Sequence, residues 1–167
     1  MKREMGITWE HSMEVADILT TILADEFLLY TKTLDAHWNV EDAALYSQHL
    51  FFEKQYNQLF EIIDRTAECI RSLGQPVAAT LSNYLEFANL TETSTDKNDT
   101  MSFIKLLLED HQSIIDHIRK TIDRQSNLFK DMGTTDFFTG LMETHEKMAF
   151  MLRAHLNHLD GKPGNSR

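Results

Sequence analysis

Apolar residues recur at helical intervals in four long runs along the chain. The first extends from about Met13 to His37, with Val15, Ile18, Leu19, Ile22, Leu23, Phe27, Tyr30 and Leu34 near the 3.6-residue period, and Ser12 reads as its N-cap. The second runs from about Leu45 to Leu73 with Phe52, Tyr56, Leu59, Phe60, Ile63, Ala67 and Ile70 on its stripe, and Gly74 followed by Pro76 supplies its stop. A third spans roughly Asp99 to Phe129 and a fourth roughly Thr135 to Leu159. The first and second runs are joined closely, as are the third and fourth. Between the two pairs lies the stretch Gln75 to Asn98, whose Leu81, Tyr84, Leu85, Phe87, Ala88 and Leu90 predict a short helix inside a crossover. Two helical hairpins joined by one long crossover is ferritin-like four-helix bundle topology, so the expected fold is all-α. The expected division is a tail at residues 1–12, the bundle at 13–159 and a second tail at 160–167.

Composition narrows the function classes. The 167 residues carry 26 acidic and 16 basic side chains, a formal charge of −10 with His neutral. Such a surface repels DNA and anionic membranes and attracts cations. One cysteine, Cys69, cannot form an intrachain disulfide, which suits a reducing compartment. The polar start of the chain and the charge-broken apolar runs predict no signal peptide and no membrane span, so a cytoplasmic protein is expected.

Eight histidines are many for this length, and His is the commonest metal ligand among side chains. The second helix carries His49, Glu53, Asp64 and Glu68, which at about 100° per residue share one face. Asp64 nevertheless lies roughly 22 Å along the axis from His49 at 1.5 Å per residue, too far for one mononuclear site within one helix. The four are therefore two solvated patches, or a second antiparallel copy brings one chain's first pair to the other chain's second pair, as a two-fold dimer would. His37, at the end of the first helix, completes a set of two imidazoles and three carboxylates. Mixed nitrogen and oxygen ligation suits Fe2+, Zn2+ or Mn2+, and carboxylates also accommodate Fe3+. The competing reading is an edge histidine beside ordinary surface acids. No Glu-x-x-His motif occurs in the chain, so a di-iron centre inside one bundle is not expected.

Order and spacing together resemble one family. HWNV at His37–Val40, then His49, Glu53, D-x-x-x-E at Asp64–Glu68 and IRSLGQP resemble the Dps mini-ferritins, the DNA-protection-during-starvation proteins. The stretch Asp131 to Asp136 and the later Glu146-Lys147-x-x-Phe150-Met-Leu-Arg-Ala continue the similarity into the last helix. The resemblance implies a homo-dodecamer of tetrahedral symmetry with ferroxidase sites at its two-fold interfaces. His37, His49 and Glu53 would come from one subunit, Asp64 and Glu68 from its neighbour. Iron would be oxidised there from Fe2+ to Fe3+ by hydrogen peroxide or oxygen and stored as ferric mineral, with zinc competing for the ligands. Many members carry Asp where this chain has Glu53. The resemblance also implies an acidic three-fold pore at Asp131 and Asp136, whose third acidic position is Gly140 here. Trp38, beside a ligand, would pack near the site or intercept oxidising equivalents.

A second reading is a nucleoid protein that coats DNA through basic tails. The termini offer only Lys2 and Arg3 against Glu4 and Glu10, and Lys162 and Arg167 against Asp160. Phosphate binding needs several cations acting together, so direct DNA binding is not expected. Of the other histidines, His155 and His158 read as a solvent-facing helix end, His11 as part of the N-terminal tail, and His111, His117 and His145 have no matching ligand set. The methionines read as core filling.

Overall fold

A computed structural model describes residues 8–128 and 132–159. Five helices follow in order: α1 (Trp9–Asn39), α2 (Leu45–Ser72), α3 (Leu81–Phe87), α4 (Thr100–Leu128) and α5 (Met132–Leu159), with no strand among the described residues. The helix α1 packs along α2 and α4 along α5, while α1 also touches α4 and the short α3. This is the expected four-helix bundle with an extra helix in its crossover.

The boundaries follow from local chemistry. Thr8, rather than Ser12, caps α1, its hydroxyl accepting from the His11 amide at 3.2 Å. Ser12 lies inside the helix and donates instead to the carbonyl of Leu73 at 2.6 Å, tying α1 to the end of α2. His11 is accordingly a buried helical residue and not part of a tail. Residues 1–7 and 160–167, where tails are expected, lie outside the described residues. At the other end of α2, Gly74 adopts φ 83°, a left-handed conformation that costs glycine little. Its amide donates to Arg71 O and that of Gln75 to Ile70 O, which satisfies carbonyls the helix leaves open. Asp99 sits at the start of α4, where its carboxylate accepts from the amide and the hydroxyl of Ser102. These bonds hold its pKa below the usual carboxylate range.

The core is continuous across all four long helices, with Leu19, Ile22 and Leu29 meeting Phe52, Leu59, Phe103, Ile104 and Phe138. Apolar spacing did not settle every burial. Phe60, on the α2 stripe, is 60% exposed, and of the helical residues of α3 only Tyr84 is buried. Nor are the methionines uniformly core: Met148 is buried, but Met13, Met132 and Met151 are exposed.

Candidate metal centre

The end of α1 and the second turn of α2 meet at two histidines. His37 is buried and His49 exposed, and their rings stack with centroids 3.7 Å apart at 25°. Each ring is also fixed to the other's backbone. His37 Nδ1 donates to the carbonyl of His49 at 3.0 Å, and His49 Nδ1 donates to the carbonyl of His37 at 2.9 Å. A carbonyl only accepts, so both Nδ1 atoms carry hydrogen, and in the neutral rings both Nε2 atoms keep a lone pair. Backbone bonding of this kind orients an imidazole for metal before the metal arrives.

Glu53 stands one turn beyond His49 on the same face of α2 and is half-buried. Asp64 and Glu68 are exposed on the later half of the helix. Since α2 is unbroken from Leu45 to Ser72, the axial separation of roughly 22 Å between His49 and Asp64 stands. One subunit thus brings together His37 and His49 and leaves the two acids apart. Among the described residues, no group of three or more His, Cys, Asp or Glu side chains is placed to hold a metal ion. The Tyr56 ring meets His37 edge-on at 5.1 Å. Trp38 is 70% exposed and packs over neither histidine in the subunit.

Of the expected pore residues, Asp131 lies outside the described residues, and Asp136 is exposed near the start of α5. A Cβ added at Gly140 would meet no atom within 4 Å. His158 is exposed as expected, whereas His155 is half-buried and stacks on Phe51 at 4.1 Å. Cys69 is half-buried and packs against the core.

The main feature absent from the sequence reading lies at the bundle centre. Glu26 of α1, His145 of α5 and His111 of α4 are almost wholly buried, with Thr66 of α2 beside them. His145 Nδ1 and His111 Nδ1 are 3.0 Å apart, a hydrogen bond in which one donates to the other. His145 Nε2 lies 3.5 Å from Glu26 Oε1, at the outer limit of hydrogen bonding, and has no other hydrogen-bond partner; Glu26 Oε2 has none. Burial pushes the Glu26 carboxyl up, against the opposing pull of His145 and Thr66. Burial, reinforced by His145, holds the His111 imidazole well below its ordinary range. The two nitrogens of His145 face different partners, so these side chains form a chain of contacts and do not converge on a point. A sequence signal existed. Glu26 falls four residues after Ile22 and seven after Leu19, inside an apolar stripe, and His111 and His145 occupy the same kind of position after Leu107 and Leu141.

Residues 16–161 match the family described as ferritin-like domain. An uncharacterised low temperature-induced protein of Nostoc is 37% identical over 95% of this chain and 87% of its own length. The DNA protection during starvation protein of Porphyromonas gingivalis is 30% identical over 93% of this chain and 98% of that protein. Among solved structures, the Dps protein of Vibrio cholerae superposes with a TM-score of 0.86 at 27% identity, covering 93% of this chain and 96% of that one. The bundle is therefore a ferritin-like one, and the chain belongs to the Dps family of mini-ferritins. None of the described helices is long and apolar enough to cross a membrane.

Proposed function

We propose that this protein oxidises Fe2+ with hydrogen peroxide at sites shared between two-fold related subunits and stores the ferric product inside a dodecameric shell. The observation that carries this reading is the His37–His49 pair, locked by reciprocal backbone bonds with both Nε2 atoms open. Glu53 extends the same face, and the distance to Asp64 and Glu68 leaves those acids to serve the neighbouring subunit's histidines. Family membership supports iron as the substrate. Asp64 and Glu68 provide anionic oxygen for both oxidation states, while His37 and His49 favour Fe2+ and so help the ion arrive. Two Fe2+ ions supply the two electrons that split one peroxide, and with two protons the products are two Fe3+ ions and two water molecules. Zn2+ competes for the same nitrogen and oxygen set. Oxygen is the alternative oxidant in this scheme.

The relatives named for DNA protection bring that role here as an indirect one. A charge of −10 per chain opposes contact with phosphate, so DNA is spared by removal of iron and peroxide together. Asp131 and Asp136 would draw iron inward at a three-fold pore, with Gly140 leaving it less charged there.

Anaerobic addition of Fe2+ to metal-free protein, followed by peroxide, tests this directly. Ferric absorbance should rise after peroxide and fall sharply in His37→Ala, Asp64→Ala and Glu68→Ala proteins. Absence of peroxide-dependent oxidation in the unmodified protein overturns the proposal. Size exclusion should show about twelve subunits, and a stable monomer would remove the shared site.

A further inference from the structure

The histidine pair is the start of a longer row of aromatic contacts that ligation does not use. His37 stacks on His49 at 3.7 Å and meets Tyr56 at 5.1 Å and 74°. Tyr56 in turn meets Tyr30 edge-on, with centroids 6.2 Å apart at 82°. Beyond Tyr30 the neighbours are Phe27 at 6.1 Å and Phe60 at 6.3 Å, whose rings give up an electron far less readily than a phenol. The oxidisable part of the row therefore ends at Tyr30. Both tyrosines are half-buried, so their rings are held in place.

We infer that Tyr56 and Tyr30 form an electron-donating relay to the iron site, completing the reduction of peroxide when only one Fe2+ is bound. The inference rests on the ferroxidase reading and adds a role for side chains that touch no iron ligand other than His37. One Fe2+ supplies one of the two electrons that peroxide requires. Without a second donor, the O–O bond breaks to hydroxide and a hydroxyl radical. With Tyr56 as donor, Fe2+, the phenol, H2O2 and one proton give Fe3+, a neutral tyrosyl radical and two waters. The O–O bond breaks to two hydroxides, one protonated by the phenol's own proton and the other by the solvent proton. Tyr30 shares the oxidised state by passing an electron and a proton to Tyr56. A later Fe2+, with one proton, restores the phenol and leaves as Fe3+. The relay thus converts one-iron turnover, the damaging case, into a sequence that releases no radical. Trp38 is the competing donor by sequence position, but within the subunit it makes no ring contact with His37, which leaves it outside this row.

The test uses the assembled protein loaded with less than one Fe2+ per subunit, treated with excess H2O2, freeze-quenched and examined by electron paramagnetic resonance. A tyrosyl signal is expected, narrowed in protein grown on ring-deuterated tyrosine. It should fall at least several-fold in Tyr56→Phe, which keeps the ring and its packing, and should persist with a shorter lifetime in Tyr30→Phe. Spin-trapped hydroxyl radical should rise several-fold in Tyr56→Phe. If Fe2+ is oxidised but no tyrosyl signal forms, or the signal is undiminished in Tyr56→Phe, the relay is wrong and the ferroxidase reading stands. If Fe2+ is not oxidised at all, both fall.

Discussion

At the scale of single residues, the buried contacts of Glu26, His145 and His111 make stability depend on pH in two opposite directions. Burial depresses the His111 pKa, so the folded imidazole refuses a proton that the unfolded one accepts below about 6.5. Stability therefore falls as pH drops below that value, by about 1.4 kcal/mol per pH unit for one proton. Burial raises the Glu26 pKa, so its contribution has the reverse sign. It is fully present below the ordinary carboxylate value and is lost as pH rises through the raised folded value. The groups facing this chain of contacts are His145 on α5, Thr66 on α2 and Asp25 beside Glu26 on α1. Urea unfolding at pH 7 and pH 5.5 separates the two effects. His111→Asn should lose less stability on acidification than the unmodified protein, and Glu26→Gln should lose more. Equal losses in all three would show that neither buried group exchanges its proton on unfolding.

At the scale of elements, the crossover depends on one carboxylate more than on its own helix. An isolated helix of the length of α3, seven residues, is marginal in water, and its only buried residue is Tyr84, stacked on Phe27 at 4.2 Å. Asp25 supplies the other anchor, its Oδ1 accepting from the amides of Asn89 at 2.6 Å and Leu90 at 2.8 Å. Burial raises the Asp25 pKa even though these bonds pull it down. Asp25→Ala strands both amides and should cost about 1–3 kcal/mol in urea unfolding. Asp25→Asn keeps an acceptor oxygen and should cost less. Hydrogen exchange should quicken first between residues 81 and 90, and a uniform change across the bundle would contradict this anchoring. Periodicity made the helices legible, because a 3.6-residue repeat records which face is apolar. It does not record what covers that face, which is why Phe60 and Leu81 read as packed and are exposed. Ser12 fits a cap by residue type for a related reason, yet its hydroxyl is claimed by a carbonyl 61 residues away and Thr8 caps α1 instead. Likewise, the spacing of His37 and His49 suggested a pair, but their lock depends on backbone carbonyls that carry no sequence signature.

For the whole molecule, the question is whether the two halves of α2 serve one site or two different ones. The shared-site reading gives the histidines of one subunit to the acids of its neighbour, so a subunit lacking one half can be rescued by a subunit lacking the other. Consider a His37→Ala/His49→Ala protein and an Asp64→Ala/Glu68→Ala protein, each inactive alone. When equal amounts are unfolded together and reassembled, half of the randomly formed two-fold pairs contain one of each. Such a pair has one complete site, with histidines from the acid-deficient subunit and acids from the histidine-deficient one, and one site lacking both halves. About one quarter of all sites should then oxidise Fe2+ with peroxide, whereas reassembly of either protein alone should restore nothing. A mixture that stays inactive while assembling to full size would place the histidines and the acids in separate patches. The same mixture also discriminates against iron capture by surface acidity in general. The chain's net charge of −10, reduced only to 16 − 24 = −8 where Asp64 and Glu68 are replaced, attracts cations in every variant, and that attraction is not restored or lost by pairing.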